Sequence, residues 1–341
     1  MGVISIVKNS YQILRCVSWP RIKNAFILWK EYKQTKKTGI LKHTALPFSL
    51  SIEPTTSCNL RCPQCPSGLR AFTRPTGMLQ KEVFEKIIDQ VHKHVGYLTM
   101  YFQGEPFLNQ SFLEMIHYAS RHKIYTATSS NAHYFTSKVA EETVKSGLNK
   151  LIISIDGVTQ ESYKHYRIGG DLNKVLDGTK ELIKAKRKLG KSTPHIVWQF
   201  IVFKHNEKEI PEIKRLAKEY KVDSLQIKTA QVYDFETTDQ WIPENKKWSR
   251  YTEVNGKMVF KNSLLNHCWR MWHSAVITWD GSVVPCCFDK DASHSMGSLQ
   301  EKKFKEIWYG EAYNNFRTKL LAGRGSIDIC KNCSEGTKVF I

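Results

Sequence analysis

Between Phe48 and Thr229 the chain alternates short apolar runs with longer stretches in which apolar residues return every three or four positions. The short runs fall at Phe48–Thr55, Tyr97–Phe102, Ile124–Thr128, Leu151–Asp156, Ile196–Phe203 and Ser224–Thr229, and they read as strands. Helical periodicity fills Gln80–His94, Gln110–Arg121, Thr136–Ser146, Leu172–Leu189 and Glu209–Tyr220. Six strands alternating with five helices imply a parallel sheet, and right-handed crossovers curl it into a partial (βα)6 barrel. In such barrels the loops at the carboxyl ends of the strands build the site. The rhythm stops at Gln231–Asn266, a bridging segment in which Asn255-Gly256 signals a tight hairpin within Tyr251–Phe260. That hairpin either covers a substrate at the barrel mouth or lies on the surface. From Cys268 the pattern changes to a hairpin turned by Asp280-Gly281 and helical stretches at Gln300–Tyr309 and Glu311–Leu321, a small α+β domain. The expected division is an extension over 1–45, a barrel over 46–230, a bridge over 231–266 and a C-terminal domain over 267–341.

At 341 residues, 41% hydrophobic and 11% aromatic, the chain is globular, and no apolar run reaches bilayer-spanning length. The start, MGVISIVKNSYQILRC, is too polar for a secretory signal and lacks a small-residue cleavage site. Nine cysteines without an export signal read as ligands in a reducing compartment, so cytoplasmic placement is expected. The net charge of +19 is uneven: residues 1–47 hold nine Lys or Arg against Glu31 alone. Interleaved with Trp19, Phe26, Ile27, Leu28 and Trp29, these charges allow peripheral contact with the anionic inner face of a membrane. A solvated helix packed on the outside of the barrel is the preferred alternative, because charge runs are usually solvated and Pro20 interrupts the pattern. Nucleic acid is not expected, since no recognition motif accompanies the charge.

The chemistry concentrates in Cys58-x3-Cys62-x2-Cys65, in the loop after the first strand. Three thiolates this close can hold a four-iron cluster, and with no fourth cysteine nearby one iron is left open. A zinc site would need a fourth Cys or His at short spacing, and the segment has none. Near the C-terminus, Cys268, Cys286, Cys330 and Cys333 offer four thiolates, enough to fill either a second four-iron cluster or a tetrahedral zinc site. Cys287 points to the opposite strand face if Cys286 points inward, and Cys16 has no evident role.

The cysteine triplet resembles the signature of the radical S-adenosylmethionine (SAM) enzymes. In that family the open iron takes the amine and carboxylate of SAM, and an electron from the cluster cleaves SAM to methionine and a 5'-deoxyadenosyl radical. The resemblance implies roles for further loops at strand ends. Gly104 and Glu105, in Gln103-Gly104-Glu105-Pro106, match the family's Gly-Gly-Glu type motif that receives the SAM amino group, with Gln103 replacing one glycine. Ser129 and Asn131 lie where the family often has Thr-Asn-Gly, here with Ala132 in place of glycine, and would contact the ribose or methionine part. Ser154 and Arg167 match positions that serve the SAM carboxylate in sulfatase-maturase-like relatives, with Asp156 supporting the loop. The segment from Cys268 resembles the opening of SPASM domains. With the later cysteines absent, it is similar to the shortened single-cluster version found in the dehydrogenase of butirosin biosynthesis. These likenesses imply a 4Fe-4S cluster that binds SAM, S-adenosyl-L-methionine itself, a second 4Fe-4S auxiliary cluster, and an electron donor such as flavodoxin or ferredoxin. They also imply a small-molecule or peptide substrate. Substrate oxidation with the auxiliary cluster as electron acceptor is the first expectation. Thioether or carbon-carbon crosslinking of a ribosomal peptide is the second, and a non-enzymatic iron-sulfur protein the third. Gln226 and Lys228, on one face of the last barrel strand, either face the pocket or fill the barrel.

Overall fold

The computed structural model describes residues 12–232, 239–261, 264–331 and 333. In chain order the main elements are α1 (Trp19–Thr38), β1 (Ser49–Ile52), α2 (Pro66–Leu69), α3 (Lys81–Val91), β2 (Tyr97–Thr99), α4 (Phe112–Arg121), β3 (Tyr125–Ser130), α5 (Ser137–Lys145) and β4 (Lys150–Ser154). Then come α6 (Gln160–Tyr166), α7 (Leu172–Lys188), β5 (His195–Val202), α8 (Ile210–Glu219), β6 (Ser224–Thr229), β7 (Tyr251–Val254) and β8 (Lys257–Phe260). The C-terminal part holds α9 (Arg270–His273), β9 (Ser274–Ile277), β10 (Ser282–Val284), β11 (Gly297–Ser298), α10 (Phe304–Trp308), α11 (Glu311–Gly323) and α12 (Asp328–Lys331).

The described residues form two compact units. One contains Cys58–Ala71 and 127–261. Its sheet is parallel, with β4 between β3 and β5 and with β6 beyond β5. Val197↔Ser224 through Val202↔Thr229 is its longest register. Strand β4 is buried except at Lys150 and β5 is mostly buried, as expected of parallel strands covered on both faces. The β7–β8 hairpin turns at Asn255 (φ 51°) and Gly256 (φ 74°), and two successive left-handed residues are what a tight two-residue hairpin requires. Tyr251 in this hairpin is buried, and Met258 and Phe260 pack against the same apolar cluster as Leu60, Tyr166, Phe203 and Trp241. One face of the hairpin is therefore anchored on that cluster, while Glu253, Val254, Lys257 and Val259 are exposed.

The other unit contains Ile13–Ser57, Phe72–Thr126 and 264–333. Here β1 lies parallel to both β2 and β9, while β10 runs antiparallel to β9 and to β11. Helix α3 buries Phe84, Ile87, Ile88 and Val91, the spacing of one helical face. Helix α1 corrects one expectation. Pro20 does not interrupt this helix: it occupies the first turn behind Ser18, where a missing N–H costs nothing, and Gly39 closes the other end at φ 72°. The inward face of α1 buries Leu28, Glu31, Tyr32 and Thr35. No helix among the described residues is long and apolar enough to cross a membrane.

Candidate active site

The loop that carries Cys58, Cys62 and Cys65 is held from its own backbone outward. The amide of Arg61 donates to the carbonyl of Ile168 at 2.8 Å, and the amide of Cys65 donates to the carbonyl of Cys62 at 3.3 Å. Cys65 then stands just ahead of α2 in extended backbone, and Pro66 starts the turn. Gly68 is required here, since a Cβ at that position would sit 2.5 Å from both N and O of Cys62. The three cysteines pack against Leu60, Tyr166, Phe203, Trp241 and Tyr251, so one side of the loop is apolar and dry.

Donors converge on the sulfurs. The amide of Leu60 lies 3.4 Å from Cys58 Sγ, and Asn131 Nδ2 lies 4.0 Å from it while donating to Asn59 Oδ1 at 2.7 Å. Arg167 Nη1 lies 3.8 Å from Cys62 Sγ. The same guanidinium places Nε at 2.6 Å and Nη2 at 2.5 Å from Asp156 Oδ2. Asp156 Oδ1 in turn accepts from the amide of Ile201 at 2.7 Å. Burial works against the charge on Arg167, but the Asp156 carboxylate and Cys62 outweigh it and hold the guanidinium well above its ordinary value. Burial pushes the Cys62 thiol up, with Arg167 opposing. Such a thiol gives up its proton when a metal replaces it. Soft sulfur donors, cationic and N–H partners and an apolar wall suit an iron-sulfur cluster.

Of the residues expected to contact SAM, this unit brings Asn131 and Arg167 beside the cysteine loop, while Ser129, next to last in β3, and Ser154, last in β4, lie at the carboxyl ends of their strands. Ala132 has φ 61°, which explains why a glycine would be at home at this position. Gln226 and Lys228 lie on β6, with Lys228 exposed. Gly104 and Glu105 belong to the other unit. There Gly104 has φ 72°, and a Cβ would come within 2.3 Å of the carbonyl oxygen of Thr55. Glu105 is buried, its amide donates to the Ser57 carbonyl at 2.8 Å, and its carboxylate accepts from the amide of Phe107 at 3.3 Å. The sequence reading missed Glu53 and Arg74 in that unit. Glu53 is fully buried and takes both ends of the Arg74 fork at 2.6 and 2.9 Å, locking the chain just ahead of the cysteine loop.

The second set of cysteines shares electrostatic neighbours. Cys268, Cys330 and Cys333 lie close enough to Arg324 to strengthen its charge against the effect of burial, and Cys286 feels both Cys268 and Cys333. Arg324 is itself buried and its Nη2 lies 3.0 Å from Cys333 Sγ. Burial pushes Cys330 up to about 11 and Cys286 well above the ordinary thiol value. Cys287 acts on the buried phenol of Tyr101. No disulfide forms among the described residues, so these four are open to ligation. Tyr32 of α1 closes one side: its Oη bonds His267 Nδ1 at 2.8 Å, and its ring meets Trp269 and Trp272.

Comparison with known proteins identifies two domains. Residues 52–217 match the radical SAM superfamily model, and residues 268–334 match the SPASM iron-sulfur cluster-binding domain. The tungsten-containing aldehyde ferredoxin oxidoreductase cofactor-modifying protein of Pyrococcus furiosus is 23% identical over 325 residues, covering 84% of this chain and 86% of that protein. The structure of Streptococcus suis SuiB bound to S-adenosylmethionine superposes with a TM-score of 0.62 at 16% identity, over 84% of this chain and 71% of SuiB. SuiB has also been solved with its precursor peptide SuiA. BtrN in complex with AdoMet and 2-DOIA gives a TM-score of 0.53 at 17% identity, over 86% of this chain and 95% of BtrN. The chain therefore belongs to the radical SAM superfamily and carries a C-terminal SPASM iron-sulfur cluster-binding domain.

Proposed function

We propose that this protein is a radical SAM oxidoreductase, with Cys58, Cys62 and Cys65 holding the cluster that binds SAM and Cys268, Cys286, Cys330 and Cys333 holding an auxiliary 4Fe-4S cluster. Bound at the first three thiols, a four-iron cluster would supply an open iron for SAM and the electron for its reductive cleavage, the chemistry by which a hydrogen atom would be taken from substrate. The chain's own residues set the conditions for that chemistry. Leu60, Tyr166, Phe203 and Trp241 keep water from one side of the cysteine loop. Arg167, fixed by Asp156, keeps a positive charge beside Cys62. Asn131, Ser129, Ser154, Gly104 and Glu105 are assigned to SAM.

The observation that carries the oxidoreductase reading is the second thiol set. Cys268, Cys330 and Cys333 act on the buried Arg324 and Cys286 feels two of them; four such thiols match four irons, so an auxiliary cluster there would have no open site and would be suited to accepting an electron. Substrate would lose one electron with the hydrogen atom, a second electron to that acceptor, and a proton to solvent. Similarity to SuiB keeps peptide crosslinking as a second reading, because SuiB was solved with a precursor peptide. Metal analysis and product mass test the proposal together. Anaerobically loaded protein should hold about eight irons and the Cys58/Cys62/Cys65→Ala variant about four. Product from a candidate substrate should be lighter by two hydrogens. Zinc in the C-terminal site would remove the acceptor and overturn the oxidoreductase reading.

A further inference from the structure

The two faces of α1 do different work. One face is fixed in place. Arg21 is buried and donates to the His92 carbonyl at 2.6 and 3.2 Å, to that of His122 at 2.9 Å, and to those of Lys123 and Cys16 at 2.5 and 2.7 Å. One guanidinium therefore caps the carboxyl ends of α3 and α4. Leu28 and Tyr32 are buried on the same side, and Asn24 is tied to Leu46 by two hydrogen bonds. The helix cannot roll without breaking these contacts.

The opposite face is apolar and exposed. Trp19 is 75% exposed, Ile22 46%, Phe26 60% and Trp29 42%, a stripe at helical spacing, and Leu14 and Val17 just ahead of the helix are exposed as well. Phe26 and Trp29 stack on each other at 5.9 Å instead of on the protein behind them. Lys23, Lys30, Lys33, Lys36 and Lys37 are all exposed along the helix. Its single acid, Glu31, is turned inward, where its carboxylate accepts from the Thr44 amide and hydroxyl. A helix of this length extends about 30 Å and presents aromatic residues bordered by lysines, with no exposed acid to repel an anionic surface.

We propose that α1 is a membrane-surface docking element that lays Trp19, Ile22, Phe26 and Trp29 into the interface of an anionic bilayer, with its lysines among the headgroups. Unlike a helix that folds only on binding, it is already ordered and oriented by Arg21 and Tyr32, so no ordering cost opposes docking. The charge complement selects anionic lipid, since a zwitterionic surface offers the lysines nothing.

Sedimentation of the full-length protein with vesicles tests this. Vesicles of phosphatidylcholine containing phosphatidylglycerol should carry the protein down, whereas vesicles of phosphatidylcholine alone should bind at least tenfold less. A variant with Trp19→Ser, Phe26→Ser and Trp29→Ser changes only exposed positions, so it should keep the wild-type circular dichroism spectrum while losing at least tenfold in vesicle affinity. A Lys23/Lys30/Lys33→Gln variant should lose affinity and most of its salt dependence. Absence of wild-type binding, or equal binding by the aromatic variant, would overturn the proposal. A wild-type dimer that becomes monomeric in the aromatic variant would overturn it too, by assigning the stripe to a second copy of the chain.

Discussion

Arg324 is the residue on which the C-terminal thiols depend most directly. It is buried with Nη2 at 3.0 Å from Cys333 Sγ, and it feels Cys268 and Cys330 as well. A buried cation donating to a cluster sulfur stabilises the reduced, more negative state. Arg324→Gln should therefore lower the potential of the auxiliary cluster, by an amount on the order of tens of millivolts, while leaving the iron count intact. Redox titration followed by electron paramagnetic resonance would measure it, and an unchanged potential would remove Arg324 from this role. Spacing alone singles out these cysteines as candidate ligands, because ligand number constrains sequence directly. Arg324, Asn59 and the Glu53–Arg74 pair were not legible in this way, because the target of a long polar side chain is chosen by tertiary packing. Asp156 shows the intermediate case: its supporting role was readable from the loop, but its grip on both Arg167 and the Ile201 amide was not.

Single elements show where periodicity succeeds and where it fails. Strand β6 spans the very residues expected, and α3, α4, α5, α7 and α8 form inside the expected stretches. Each of these helices buries one mainly apolar face, so its pattern has one interpretation. Helix α6 was not anticipated: it is short, and it is fixed by a Thr159 capping box that no hydrophobic pattern announces. Helix α1 carries apolar residues on both faces, which blurs its pattern, and the parallel pairing of β9 with β1 joins segments too distant for any local signal. The attachment of α1 can be measured. Arg21→Gln would leave buried carbonyls at the ends of α3 and α4 without donors, at a cost of about 2–3 kcal/mol. Urea denaturation of the cluster-loaded protein should show this as a lower midpoint. An unchanged midpoint would mean that water or a neighbouring group replaces the guanidinium.

At the scale of the whole molecule, buried histidines make stability depend on pH. Burial holds His43 and His273 down to about 3 and His94 and His205 down to about 4, so the folded chain keeps all four neutral through mildly acidic conditions. The unfolded chain protonates them near its ordinary value of about 6.5, so it binds more protons than the folded state between that value and the folded values. Their contribution is thus fully present above about pH 6.5 and is lost as pH falls, at about 1.4 kcal/mol per pH unit for each histidine. His43→Phe should make the loss shallower by about that amount between pH 6 and 4, and an unchanged slope would exclude His43 as a source. The central claim concerns the Cys58–Cys62–Cys65 loop and is tested most directly by SAM cleavage. Reconstituted protein given dithionite and SAM should release 5'-deoxyadenosine, and Cys58→Ala, Cys62→Ala and Cys65→Ala should each abolish that release. Undiminished 5'-deoxyadenosine from the three variants would contradict the account.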